Sequence, residues 1–135
     1  VANVKINRIM MRIPLCLAFV LVTVWTSAQE TDMIENKNEV IERAKAELEK
    51  AMTPGGDLFL FGQEIGLRGS YTIDLTIRGK GEVATVFVVN GDSNDIHNQN
   101  RLKDHLKSFR FPFRMPKDRS FKFQYIFNFN PNTNN

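Results

Sequence analysis

The chain has 135 residues, 24% of them charged, with 18 Lys and Arg against 15 Asp and Glu and one cysteine. A lone cysteine excludes an internal disulfide framework, so the fold must be held by its apolar core. The formal charge of +3 disappears once Lys5, Arg8 and Arg12 are set aside with the leader described next, leaving 15 bases against 15 acids and no bulk attraction to nucleic acid.

Met11-Arg12-Ile13-Pro14 runs into an apolar stretch from Leu15 to Trp25 and then into Thr26-Ser27-Ala28-Gln29. A basic start, an apolar middle and a small-residue end make residues 1–28 read as a cleavable secretory signal, with Met10 or Met11 the expected start. That apolar stretch is 11 residues, short of the roughly 18 to 20 that a membrane span needs. Cleavage near Ala28 and a periplasmic or secreted destination are therefore expected; an uncleaved segment would anchor the chain in the inner membrane. Cys16 follows Leu15, where a lipid-anchored signal would carry a small residue.

Residues 29–56 read as a helix and linker. Asp32-Met33-Ile34-Glu35 has the spacing of a capping box, and Met33, Val40, Ala44, Leu48 and Ala51 share one helical face. The spacing predicts an amphipathic helix over 33–52, stopped by Thr53-Pro54-Gly55-Gly56. Whether it packs on the rest of the chain, forms a homodimer seam or serves as a tether stays open. Leu58-Phe59-Leu60-Phe61 fits a strand or a helical turn equally well.

Tyr71, Ile73, Leu75 and Ile77 alternate with Thr72, Asp74, Thr76 and Arg78, the pattern of a strand buried on one face. Gly79-Lys80-Gly81 turns the chain, and residues 83–89, mostly β-branched, return it. Ser93 or Asp92 is placed to cap a second helix that carries Ile96, Leu102, Leu106 and Phe109 on one side and ends near Lys107 or Ser108. Phe121, Phe123, Tyr125, Phe127 and Phe129 then occupy every odd position of a third strand. Residues 131–135 are a polar tail, expected to be disordered.

Direction alone sets the topology. A hairpin reverses the chain, a helix returns it, and an antiparallel third strand must then lie beside the first. The expected domain, residues 57–130, is α+β: a three-stranded antiparallel sheet of order 2-1-3 (ββαβ) with a helix on one face, preceded by the amphipathic N-terminal helix. The third strand becomes an edge.

Several residues in this order resemble the C-terminal domain of TonB-type energy transducers. Gly69 stands before the first strand, Gly81-Glu82-Val83 with Val86-Phe87-Val88 is similar to the family's Gly-x-Val turn and second strand, and Leu102, Leu106, Lys107, Phe109, Arg110, Phe111 and Pro112 resemble its helix ending in Trp-x-Phe-x-Pro, with Phe109 in place of Trp. Phe127 and Phe129 match its closing strand. The chain departs from the family in lacking a Tyr-Pro pair before the first strand and a long proline-rich spacer. The resemblance implies a periplasmic domain that pairs an extended peptide of an outer-membrane receptor with an exposed strand edge. That edge would be Lys122, Gln124, Ile126 and Asn128, which would otherwise serve only to guard the edge against aggregation. A first helix of about 20 residues spans only about 30 Å, so a binding domain is expected in preference to a complete transducer.

An alternative site is the basic set Arg101, Lys103, Lys107, Arg110 and Arg114, interleaved with Phe109, Phe111 and Phe113, for a polyanion, either a glycan or a nucleic acid. Nucleic acid is not the expected partner, because the alternation assigns the rings to the core and stacking needs them exposed. His97 and His105, with Asp95, form at best a weak metal set, and the expectation is solvated histidines, no metal, no cofactor and no catalytic residue. No serine has the context of a nucleophile.

Overall fold

The structure is a computed structural model that describes residues 32–92 and 94–130. The expected signal over 1–28, the tail over 131–135 and the candidate cap Ser93 lie outside the described residues. Six elements follow in order: α1 (Lys37–Met52), α2 (Asp57–Ile65), β1 (Ser70–Arg78), β2 (Glu82–Gly91), α3 (Ile96–Ser108) and β3 (Ser120–Asn128).

The first helix starts four residues later than its pattern predicts. Its cap is Asn36, whose side-chain oxygen accepts from the backbone N–H of Asn38 at 2.9 Å and of Glu39 at 3.4 Å, rather than Asp32 with Glu35. The residues before it are held extended: Ile34 N–H donates to Arg114 C=O at 2.8 Å, and Arg114 N–H donates to Asp32 C=O at 3.0 Å. This bridge sends Ile34 into the core and leaves Met33 60% exposed, so Met33 is not part of the helical stripe. The stripe itself, Val40, Ala44 and Leu48 with Ala51, is buried as its spacing requires.

The undecided run Leu58 to Phe61 belongs to α2, with Leu58 fully buried. Gly66 closes this helix in the left-handed conformation at φ 69°, and Leu67 N–H reaches back to Gly62 C=O at 2.8 Å. Gly62 serves by having no side chain. A Cβ there would sit 2.6 Å from the ring of Phe129, so only glycine lets α2 lie against the end of β3.

The sheet order is β2-β1-β3, antiparallel throughout, as the direction argument requires. Tyr71, Ile73, Leu75 and Ile77 face inward from β1, joined by Val83 and Val86 of β2 and Phe123 and Phe127 of β3. All three helices cover that one face: α3 lies over β2, α1 over β3, and α2 packs on α1. Residues of α1, α2, the sheet and α3 share one hydrophobic core with Phe111, Phe113 and Met115. Among the described residues no polar or charged side chain is buried.

The second predicted helix is α3, and it ends at Ser108 as expected. Its cap is Asp95, which accepts from Asn98 N–H at 3.1 Å. Asp92 instead ties the end of β2 to the start of β1, its carboxylate accepting from Ser70 N–H at 2.9 Å. Ile96, assigned to the buried stripe, is 68% exposed because it is the first helical residue and lies beyond the sheet's cover; Leu102 and Leu106 carry the burial. Among the described residues no helix is long and apolar enough to cross a membrane.

Candidate partner-binding edge and the groove at its end

β3 is at the open side of the sheet, and the register shows which of its backbone groups are free. Phe129 N–H donates to Gly69 C=O at 2.9 Å, and the β1–β3 register continues without a shift from Ser70↔Asn128 to Arg78↔Ser120. In an antiparallel ladder the residues that bond to the partner strand alternate with those that point away. Phe121, Phe123, Tyr125 and Phe127 therefore spend their backbone groups on β1, while Ser120, Lys122, Gln124, Ile126 and Asn128 direct N–H and C=O outward. The four residues expected at the edge are all among these.

The other edge is less regular. β2 carries two extra residues, Val89 and Ala84, where its register with β1 shifts between Thr72 and Ile73 and between Thr76 and Ile77. The chain after α3 also covers its beginning: Arg110 bridges to Glu82, Phe111 N–H donates to Gly81 C=O at 3.0 Å, and Met115 N–H donates to Gly79 C=O at 2.7 Å. Among the described residues no segment makes such a bond to the outer side of β3.

Side chains of the edge lie back over the solvent face of the sheet. Lys122 Nζ is 3.3 Å from one oxygen of Asp74, and Gln124 Nε2 donates to the other at 3.0 Å. The Asp74 carboxyl is held below the usual carboxylate range, chiefly by the bond from Gln124, with partial desolvation opposing it and the bond and charge of Lys122 reinforcing it. Both edge side chains are thus drawn inward toward β1, and the outer backbone line is left uncovered. Ile126 is 61% exposed on the same face. On the other face Tyr125 lies toward α1, where burial and then the Glu49 charge raise its phenol above the ordinary value.

A groove of about 740 Å³ opens where β3 ends. Met52, Thr53 and Pro54 form one wall, Phe59, Gly62, Gln63 and Gly66 of α2 another, and Leu67, Arg68 and Asn128 to Asn130 complete it. No single segment of the sequence marks this groove, because it is assembled from three parts of the chain that only the α1–α2 turn brings to the end of β3.

No family model and no curated protein matches the chain in sequence. Among solved structures, the C-terminal domain of Helicobacter pylori TonB, determined in solution by NMR, is similar at 24% identity and a TM-score of 0.37, covering 69% of this chain and 83% of that one. A likeness of that size says nothing of what the edge binds.

The basic residues of the alternative site are spread out. Lys103 and Lys107 stand one turn apart on α3, whereas Arg101 is about 200° around the helix from Lys103 at about 100° per residue. Arg110 is bridged to β2 and Arg114 to residues 32–34. Two of the rings between them are inside: Phe111 and Phe113 are 3% and 0% exposed and present no stacking surface, while Phe109 is partly buried.

His97 is exposed, but His105 is not the solvated side chain expected of it. Its ring stacks on Phe61 at 3.9 Å between centroids, and Nε2 lies 2.8 Å from Asp57 Oδ2, fastening α3 to α2. The sequence holds no sign of this, since Phe61 falls in the unclassified run and Asp57 just before it. Among the described residues no three His, Cys, Asp or Glu side chains are grouped to hold a metal.

Proposed function

We propose that this chain is a non-enzymatic binding domain of the cell envelope, which takes up an extended segment of a protein partner as a fourth strand on the outer edge of β3. The observation that carries this reading is the regular line of outward backbone groups at Ser120, Lys122, Gln124, Ile126 and Asn128, with the Lys122 and Gln124 side chains drawn off it toward Asp74. Strand addition needs such a line of unpaired donors and acceptors and little else, because the main chain supplies the attraction. A lysine that guarded the edge would project past it; here its ammonium is engaged on the sheet face. The signal read in residues 1–28 supplies the envelope destination, and an outer-membrane receptor is the kind of partner that would present such a segment during transport.

Proline provides the test. Gln124 N–H points outward, so Gln124→Pro removes an edge donor and the exposed side-chain bond to Asp74 without breaking a backbone bond to β1, while Tyr125→Pro breaks the ladder itself. Peptides selected on the full chain from a random-peptide library are expected to bind the wild type and to lose binding to Gln124→Pro, whose thermal midpoint stays close to that of the wild type. Binding is expected to vary little with salt, in contrast to a polyanion site. Peptides that bind Gln124→Pro as tightly as the wild type would overturn the reading.

A further inference from the structure

We propose that the groove at the end of β3 is the second half of the same site, and that it receives an apolar side chain and a carboxylate from the segment paired on β3. This inference rests on the strand-addition reading. A segment lying along β3 that continues past Asn128 meets the groove directly, since Asn128, Phe129 and Asn130 form one of its borders.

The lining states what would fit. Half-buried Met52 and Phe59 and buried Leu67 offer an apolar surface, and the ring of Phe129 seated on Gly62 adds to it. Arg68 is the one charged residue in the lining, it is exposed, and it makes no hydrogen bond or ion pair with any described residue. Two helix ends border the groove, each worth about half a negative charge. Five of their last carbonyls are taken: those of Glu49 and Lys50 by Thr53 N–H, those of Gly62 and Gln63 by Leu67 and Gly66 N–H, and that of Ile65 by the Asn98 side chain at 3.2 Å. Arg68 carries the one full charge in the lining and has no partner among the described residues, and a carboxylate beside an apolar side chain is its complement.

The probes are peptides selected on the wild-type full chain from a random-peptide library. They are expected to carry an acidic residue next to an apolar one at one end of an alternating stretch. Replacing that acid by its amide is expected to weaken binding to the wild type about tenfold, the order of one charge-assisted hydrogen bond. The same replacement should cost nothing on Arg68→Gln, and Arg68→Glu should reverse the preference toward a basic residue. Arg68 is on the surface, and unchanged thermal midpoints would show that both variants fold.

If Gln124→Pro abolishes binding while neither the amide peptide nor Arg68→Gln changes it, the groove inference falls and strand addition stands. If binding survives Gln124→Pro, strand addition falls and the groove inference with it. A library that yields no binder overturns both.

Discussion

Asp74 shows how one residue in the centre of the sheet's open face arranges the edge beside it. Its two oxygens hold Gln124 and Lys122, each reaching in from β3. Because these bonds favour the charged form, the carboxyl titrates below its unfolded value. The stability it lends is fully present above the unfolded carboxylate range, near pH 4, and is lost as pH falls through the lower folded value. Asp74→Asn should remove that part of the pH dependence. Urea midpoints followed from neutral pH down to about pH 2 are expected to fall more steeply for the wild type than for the variant; parallel curves would mean that the two bonds do not discriminate between charge states. Phe61 and His105 make a comparable point about alternatives. A histidine that the helix pattern assigned to solvent is stacked on a ring from another helix, at a distance that no periodicity along α3 could disclose.

At the scale of elements, the start of α1 separates local pattern from tertiary constraint. Asp32 and Glu35 have the spacing of a capping box, yet Asn36 caps the helix, because the bridge to Arg114 holds residues 32–34 extended and buries Ile34. Asn36→Ala is expected to cost about 1 kcal/mol in denaturant unfolding, the ordinary worth of a cap. Asp32→Ala should change stability by less than about 0.5 kcal/mol, as it loses only an exposed pairing with Arg43 at 3.6 Å. Equal losses from the two would return the cap to Asp32. The strands behave differently. β1 and β3 alternate without interruption, and a buried face of period 2 fixes which residues point inward. β2 is interrupted by extra residues at Ala84 and Val89; between them Phe87 pairs with Asp74 on the open face and is 63% exposed, and Val89 is 49% exposed, although both lie in a run broken only by Thr85.

For the whole molecule, the pattern of the first helix leaves its role open, and the core answers it. Val40, Ala44 and Leu48 are completely buried against the same cluster that holds β1 and β3. Removing them would open that cluster over the β3 half of the sheet. A fragment of residues 57–130 is therefore expected to lose the cooperative unfolding transition and sharp near-ultraviolet circular dichroism of the full chain, and to bind hydrophobic dyes. A fragment that unfolds cooperatively with native-like spectra would show that α1 is an accessory. The edge of β3 depends on this packing as well: with α1 on its buried face and β1 on one side, the strand keeps only its outer line and the sheet's open face for a partner.

The alternation in residues 71–78 and 121–129 and the turn at Gly79-Lys80-Gly81 are sufficient to determine the sheet, its order and its free edge, because period-2 burial and chain direction are local properties that leave few arrangements. From that order Lys122, Gln124, Ile126 and Asn128 follow as edge residues. The groove, the cap at Asn36, the cover over the start of β2 and the docking of His105 on α2 are decided only by tertiary structure. Each depends on segments far apart in the chain, such as residues 52–54 with 128–130 or Asp57 with His105. Contacts of that kind are selected by which surfaces the core brings together, and no spacing along the sequence encodes them.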